Sequence, residues 1–437
     1  MVMLGLLSLI QMFFLPGWLI ASVGLGWLPR IDQALLVAPL SIVTSYCLIA
    51  SLTLTGIYTQ ETVLALFVFE ALLVLSLMHD ERNTEGAGEW MSIRDLIPDY
   101  ASGLLMLLAL ASGMLIFLQM KTAFAGEEFL MFWDRWAEDW YHGHLPHATG
   151  YYPQMLPALL SLNYLFMGST DEKLFACLLP LCWVILTSLI WSRMAVLLPA
   201  YKREIRWGFV LLIALAAFTE NLACAYSGFS GYLVIYLVSV VGYALVLSGT
   251  TSGRKHIWLF KLTTFIAAGA AVTQISGIYP ALTLPLVWFI QTGRKCQCHL
   301  LCRKLCIKAF TLITLIAGSW YLYKYGQSIV LGNTVALTWV QVPQPYIFSL
   351  RLFHHTPLIT LKSWIAPLLL VTLSLLSPLG RLLLGWSLPL GLAIGLMARY
   401  THYGDISALL PAMAIAGALG VSCLRTLLCA RFHYCSG

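Results

Sequence analysis

The residues best suited to chemistry lie in one polar stretch, residues 126–168, which is dense in acids, histidines and aromatics. Its two neighbouring acids, Glu127 and Glu128, follow the apolar run 100–120 by about two turns of helix. A carboxylate at a water–membrane boundary can act as a general base on an acceptor hydroxyl, or it can hold a divalent cation. If the apolar run crosses a bilayer, both carboxylates lie close to the membrane surface, where either could serve an active site.

Cationic and hydrogen-bonding side chains follow the two acids in the same stretch. Groups of this kind hold phosphates in proteins. The candidates for binding a phosphate leaving group are Arg135, His142, His144 and His147. The plainer alternative is an aromatic anchor at the membrane interface whose charged side chains are simply solvated.

The spacing of residues 129–142 predicts an amphipathic helix. One arc is aromatic and contains Phe129, Phe132, Trp133, Trp136 and Trp140. The other arc is polar and contains Glu128, Arg135, Asp139 and His142, extended by Glu127, Asp134 and Glu138. Such a helix is expected at the membrane interface, with its rings among the lipid headgroups. A second apolar helix, whose start is flanked by Pro153 and Pro157, ends near residue 166; it is too short to span, so we expect it to lie flat or re-enter.

The elements that position these groups are predicted to be membrane helices. Of the 437 residues, 60% are hydrophobic and 10% are charged, whereas a soluble domain has roughly 25% charged residues. The apolar runs do not alternate, which predicts helices rather than the strands of a barrel. We therefore predict an all-α, polytopic transmembrane protein with about thirteen spans: residues 3–28, 33–55, 61–78, 100–120, 173–198, 207–226, 232–247, 258–274, 278–291, 308–323, 358–376, 382–397 and 406–424.

The basic residues predict on which side of the membrane each loop lies. They cluster at 201–206, 254–256, 294–304, at Arg381 and in the tail from Arg425, in alternation with the spans. By the positive-inside rule these segments are cytoplasmic. Residues 126–172, 326–357 and 399–405 then lie together on the opposite side. The net charge of +6 thus reflects membrane topology and is not a nucleic-acid signal.

The order of span, acidic pair, amphipathic helix and proline-punctuated helix resembles the GT-C superfamily of polytopic glycosyltransferases, which use lipid-phosphate sugars. Residues 127–168 are similar to a bacterial group within that superfamily. The shared pattern is two acids, a tryptophan, R-W-A, a further tryptophan, a turn to proline, Y-P-Q-x-x-P and S-x-x-Y. In this chain the pattern is formed by Glu127, Glu128, Trp133, Arg135, Trp136, Ala137, Trp140, Pro146, Tyr152, Pro153, Gln154, Pro157, Ser161 and Tyr164.

Two features of the chain depart from that group. The group usually has aspartate in the acidic pair, and this chain has glutamate at both positions. The group also has a Tyr-Asp-x-Arg-Asn-like turn near its C-terminus, where this chain has Tyr403, Gly404 and Asp405 without the arginine. Arg399 and His402 are close in sequence and could take its place.

The resemblance implies a GT-C-like core over residues 100–437, with two interfacial helices in its first large outer loop. Residues 1–99 would be additional N-terminal transmembrane helices. Glu127 or Glu128 would be the catalytic base or a metal-linked acid, and a divalent cation is possible but not required. The substrate-binding residues would be Arg135, Asp139, His142, His144, His147, Tyr152, Gln154, Arg351, Arg399, His402 and Asp405.

The activity implied by the resemblance is sugar transfer from a polyprenyl-phosphate donor to a lipid or cell-envelope glycan acceptor. It would take place on the non-cytoplasmic face of the bacterial inner membrane, in which the chain is an integral, multi-pass protein. One alternative is a transporter or flippase of a lipid-linked sugar, which needs charged or broken helices near the bilayer midplane. The spans offer little there beyond Glu70, which we predict to be a buried hydrogen-bonding group. The other alternative is a non-catalytic assembly subunit.

Overall fold

The computed structural model describes residues 2–84, 99–125, 131–146, 153–227, 230–251, 253–293, 299–330, 372–397 and 407–434. These residues are about 90% helical and contain no strand. The all-α prediction is therefore confirmed. The α-helices are α1 (Val2–Phe13), α2 (Leu15–Gly24), α3 (Arg30–Leu54), α4 (Gln60–Thr84), α5 (Tyr100–Ala125), α6 (Met131–Tyr141), α7 (Met155–Met167), α8 (Leu174–Leu197), α9 (Lys202–Ser227), α10 (Ser230–Gly249), α11 (Gly253–Thr273), α12 (Ile278–Gly293), α13 (His299–Ile313), α14 (Ser319–Val330), α15 (Pro378–Met397) and α16 (Leu410–Tyr434).

Many of these helices are long and apolar enough to cross a membrane. Within the described residues there are eight such segments: Val2–Gly24, Arg30–Leu54, Gln60–His79, Tyr100–Lys121, Leu174–Leu197, Ser230–Gly249, Gly253–Thr273 and Arg303–Gly326. Shorter apolar helices cover Met155–Met167, Ile278–Trp288 and Leu410–Leu424. The eight segments support the prediction of an integral, multi-pass membrane protein. The number thirteen stays a prediction, and most of the predicted span 358–376 lies outside the described residues.

Ion pairs lie at both ends of the bundle, as helix α8 illustrates. Lys173, just before α8, forms an ion pair with Asp134, whereas Arg193, near the end of α8, forms an ion pair with Asp32. Twenty residues of helix separate the two cations, or roughly 30 Å, which is the thickness of a bilayer's hydrocarbon core. We call the end that contains Lys173 the outer end and the end that contains Arg193 the inner end.

The inner end is held together by ion pairs between helices that are distant in sequence. Asp32, which is 2% exposed at the start of α3, accepts a bidentate pair of hydrogen bonds from Arg193 Nε at 2.6 Å and Nη2 at 3.0 Å. The Tyr243 hydroxyl of α10 donates to the same carboxylate at 2.6 Å. One buried carboxylate therefore joins α3, α8 and α10.

A second inner-end carboxylate, Asp99, caps helix α5. It accepts a hydrogen bond from the Ser102 backbone N–H at 2.9 Å, and the side chains of Arg206 and Lys202 both bind it. Partial burial acts to raise the pKa of Asp99, but these donors outweigh burial and hold that pKa well below its usual range. The capped start of α5 is thereby fixed against the start of α9.

Helix α7 is the least expected element because all thirteen of its residues are buried. It packs against α6 and also against α1, α3 and α4. A helix that is apolar on every face gains most by being surrounded by protein, so α7 lies inside the bundle and not flat on its surface. It ends at Gly168, whose φ of 70° is a left-handed C-terminal cap that suits glycine.

The polar groups of α7 are bonded to neighbouring helices. Ser161 meets the Tyr58 hydroxyl at 3.0 Å, and Asn163 accepts a hydrogen bond from Ser8 of α1. In the same region Gln11 donates to Glu70 at 2.8 Å, which confirms that Glu70 is a buried hydrogen-bonding group. Because α1 and α3 pack against α7, contacts cross the predicted domain boundary at residue 99, and the division into 1–99 and 100–437 stays a prediction.

Gly17 marks a point where the backbones of α2 and α3 touch. A Cβ atom at Gly17 would lie 2.0 Å from the Val37 carbonyl oxygen and 2.7 Å from the Ser41 backbone nitrogen. We expect Gly17→Ala to force the helices apart and lower the free energy of unfolding by about 1–3 kcal/mol. Thermal unfolding in detergent measures the effect, with Gly242→Ala as the control because a Cβ there meets nothing within 4 Å. Equal melting temperatures for the two variants would contradict this packing.

Candidate functional site

The aromatic arc of α6 is buried within the protein. Trp133, Trp136 and Trp140 are at most 4% exposed, and α6 packs along α7. The expectation of rings among the lipid headgroups is therefore corrected for these three residues. The physical reason is that α7 offers a protein surface on which indole rings bury more area than in the headgroup region. The side chains of Phe129 and Phe132 lie outside the described part of the chain.

The polar side of α6 faces a lysine at the start of α8. Lys173 Nζ lies 2.6 Å from Asp134 Oδ1 and 3.9 Å from Glu138 Oε1. The Tyr164 hydroxyl donates to Asp134 at 2.6 Å, and Lys173 lies over the Tyr164 ring at 4.4 Å from its centroid. These four side chains, which we call the Asp134 cluster, join α6, α7 and α8. Burial and the neighbouring Asp134 carboxylate raise the pKa of Tyr164 well above its usual value, so its hydroxyl stays a donor.

The Asp134 cluster fixes α6 in place, and this role leads to a prediction. Asp134→Asn removes the charge that binds Lys173 and weakens the bond from Tyr164. Because hydrogen bonds to charged groups contribute about 1.5–3 kcal/mol, we expect a loss of that order in the free energy of unfolding. The measurement is thermal unfolding in detergent beside Asp171→Asn, which changes an exposed acid of the same outer end. A loss no larger than that of the control would show that the cluster does not hold α6.

The predicted substrate-binding side chains of α6 and of the turn after it lie on a more exposed side than Asp134 and Glu138. Arg135, His142 and His144 are exposed, and Asp139 is half-buried. Arg135 and Asp139 are four residues apart and share one face of the helix. These four residues are thus available to a ligand at the outer end, while the neighbouring Asp134 and Glu138 are engaged with Lys173.

Gln154 lies beneath α6 at the start of α7. Its side chain is fully buried, and its Oε1 accepts a hydrogen bond from Trp140 Nε1 at 3.3 Å. This contact positions α6 on α7, and substrate binding by Gln154 stays a prediction. The other proposed site residues lie outside the described part of the chain: Glu127, Glu128, His147, Tyr152, Arg351, Arg399, His402 and Asp405.

Lys324 of α14 lies at the outer end, where it contacts the segment after α6. It is 3% exposed, and its Nζ donates to the Pro146 carbonyl at 2.9 Å. The same Nζ lies 5.2 Å from the centroid of the Trp320 ring. A helix more than 170 residues later in the chain is thereby attached to the segment after α6. The only sequence signal was a lysine directly after the predicted span 308–323, which also suits an ordinary span end.

An apolar cavity of about 120 Å³ lies within the bundle between α5, α8, α9 and α10. Its lining is mostly aliphatic and includes a few polar side chains, namely Ser112, Gln119, Thr187 and Tyr232. From Gln119, α5 continues for six residues to Ala125, or roughly 9 Å towards the outer end. The cavity is therefore an apolar space between the spans. It lies roughly 9 Å from the outer end of α5, the helix that precedes the acidic pair in the sequence.

The described residues thus include an amphipathic helix with exposed polar side chains at the outer end and an apolar cavity between α5, α8, α9 and α10. Within the described part of the chain no three His, Cys, Asp or Glu side chains are grouped so as to hold a metal ion. Comparison of the chain with models of protein families, with curated proteins and with solved structures gives no match.

Proposed function

We propose that this protein is a membrane glycosyltransferase with about thirteen spans and a GT-C-like core. It transfers a sugar from a polyprenyl-phosphate donor to a lipid or cell-envelope glycan acceptor on the non-cytoplasmic face, in the inner membrane of a bacterium. The observation that supports this proposal best is the placement of α6. The Asp134 cluster and Gln154 hold this helix on the buried α7 with Arg135, Asp139 and His142 facing outwards.

The proposed reaction is a displacement at the anomeric carbon of the donor sugar. Glu127 or Glu128 takes the proton of the acceptor hydroxyl, directly or through a divalent cation, and the hydroxyl oxygen forms the new glycosidic bond. The bond between the anomeric carbon and the phosphate oxygen breaks, and polyprenyl phosphate leaves. Cations and hydrogen-bond donors placed where the phosphate gains charge favour this step, and Arg135 with Arg399 and the nearby histidines are proposed for that role.

The apolar cavity is the proposed site for part of the donor's polyprenyl tail. We expect Ala216→Phe, which adds a phenyl group to the cavity lining, to weaken binding of a photoreactive polyprenyl phosphate by about tenfold, since roughly 1–3 kcal/mol separates a well-fitted apolar contact from a poorly fitted one. Leu107→Phe is the matched control, because Leu107 on α5 is 62% exposed. If Ala216→Phe is labelled as strongly as wild type, the polyprenyl tail does not bind in this cavity.

A further inference from the structure

The inner end holds a group of basic side chains that the acidic side chains of the described residues do not neutralise. The acidic side chains described there are already engaged: Asp32 by Arg193, Asp99 by Arg206 and Lys202, and Glu204 by Arg203. Residues 221–404 contain thirteen Lys and Arg and no Asp or Glu. The cations of helices α11 to α13 therefore have no acid near them in sequence that could bind them.

Two of these lysines lie over tryptophan rings along one seam of the bundle. Lys255 Nζ is 5.3 Å from the centroid of the Trp27 ring, directly after α2, and Lys261 Nζ is 5.0 Å from the centroid of the Trp258 ring on α11. Both lysines are exposed, and among the described residues neither has an acidic partner. The two cations thus lie at the protein surface, each beside an aromatic ring.

The seam between α2 and α11 also has an apolar part next to the cations. A Cβ at Gly24 would lie 3.4 Å from the Trp258 ring, so the end of α2 lies close to that ring. Trp258 is 42% exposed, and Val23, one residue before Gly24, is 80% exposed. Cations, tryptophan rings and exposed aliphatic surface thus adjoin one another along this seam.

This combination of groups complements an anionic phospholipid, which joins a negatively charged headgroup to apolar acyl chains. Lysine side chains near a membrane surface attract anionic headgroups, and tryptophan rings lie at the level of the headgroups. A zwitterionic lipid places its own cation beside the phosphate, which reduces its attraction to lysine. We propose that the α2–α11 seam is a binding site for an anionic phospholipid of the leaflet at the inner end, with its phosphate at Lys255 and Lys261 and an acyl chain along Val23 and Trp258. The proposal does not depend on the sugar-transferase activity.

The test is a titration of the purified full-length chain with phosphatidylglycerol and with phosphatidylcholine of the same acyl chains, followed by native mass spectrometry. We expect phosphatidylglycerol to bind more tightly. The double variant Lys255→Gln with Lys261→Gln should lose roughly 30-fold in affinity for phosphatidylglycerol, because each lysine near an anionic surface contributes about fivefold. Binding of phosphatidylcholine should not change.

Two matched variants separate a specific site from general attraction. Arg303→Gln with Lys304→Gln removes the same charge from exposed positions on α13 and should leave the affinity within about twofold of wild type. Lys255→Arg with Lys261→Arg keeps the charge and should retain most of the binding, which also controls for folding. Equal losses in the α13 variant and the seam variant, or equal affinity of wild type for the two lipids, would overturn the proposal.

Discussion

Replacing Glu127 or Glu128 by glutamine is expected to lower the rate of sugar transfer by about 10²–10⁴-fold in at least one of the two single variants, the range typical of a lost general base. Glutamine has the shape of glutamate but cannot take up the proton of the acceptor hydroxyl. Both acids follow α5 directly in the sequence. The measurement is the initial rate of transfer in proteoliposomes at a fixed amount of inserted protein.

A lower rate can be assigned to the chemical step only if the glutamine variants insert into the membrane and fold normally. Size-exclusion profile and melting temperature of each glutamine variant should match those of wild type, since neither residue is proposed to hold the fold. Glu172→Gln is a suitable control, because it changes an exposed acid of the same predicted outer segment. Full activity in both the Glu127 and Glu128 variants would exclude this acidic pair as the site.

The second large effect concerns stability at the inner end. Asp32→Ala leaves Arg193 without its bidentate partner and Tyr243 without its acceptor, in a place where Asp32 is almost fully buried. Breaking a buried pair by removing one partner costs about 3–5 kcal/mol, and we expect a loss of unfolding free energy of that order. Thermal unfolding in detergent provides the measurement.

Two comparison variants show whether the unpaired charge is the cause. Glu204→Gln disrupts the pair with Arg203, which lies at a more exposed place, and should cost about 1 kcal/mol or less. Asp32→Ala combined with Arg193→Met removes both charges and should recover a large part of the stability. If the double variant is no more stable than Asp32→Ala, the cost does not come from an unpaired Arg193.

The helical character of the protein could be predicted because it depends on local pattern. Long apolar runs with few charges define membrane helices, and the structure has helices over nearly all predicted spans that it describes. The amphipathic segment after residue 129 and the short helix that begins after Pro153 were also predictable, since tryptophan spacing and proline positions are local signals. The structure has them as α6 and α7.

The partners of the polar side chains could not be predicted in the same way. Asp134 and Lys173 are 39 residues apart, and Asp32 and Arg193 are 161 residues apart, so tertiary packing alone brings them together. The burial of Trp133 and Trp136 likewise depends on α7, because an aromatic arc suits a lipid interface as well as a protein core. Lys324 shows the same limit, since a lysine at a span end is ordinary until its partner at Pro146 is known.

The proposed activity is tested most directly by following a polyprenyl-phosphate sugar in proteoliposomes that contain the purified wild-type protein. Transfer predicts time-dependent release of polyprenyl phosphate together with a new glycoside on the acceptor, and both should disappear when Glu127 and Glu128 are replaced together by glutamine. If instead the donor stays chemically intact, whether it crosses between leaflets or merely binds, the protein is not a transferase of this kind.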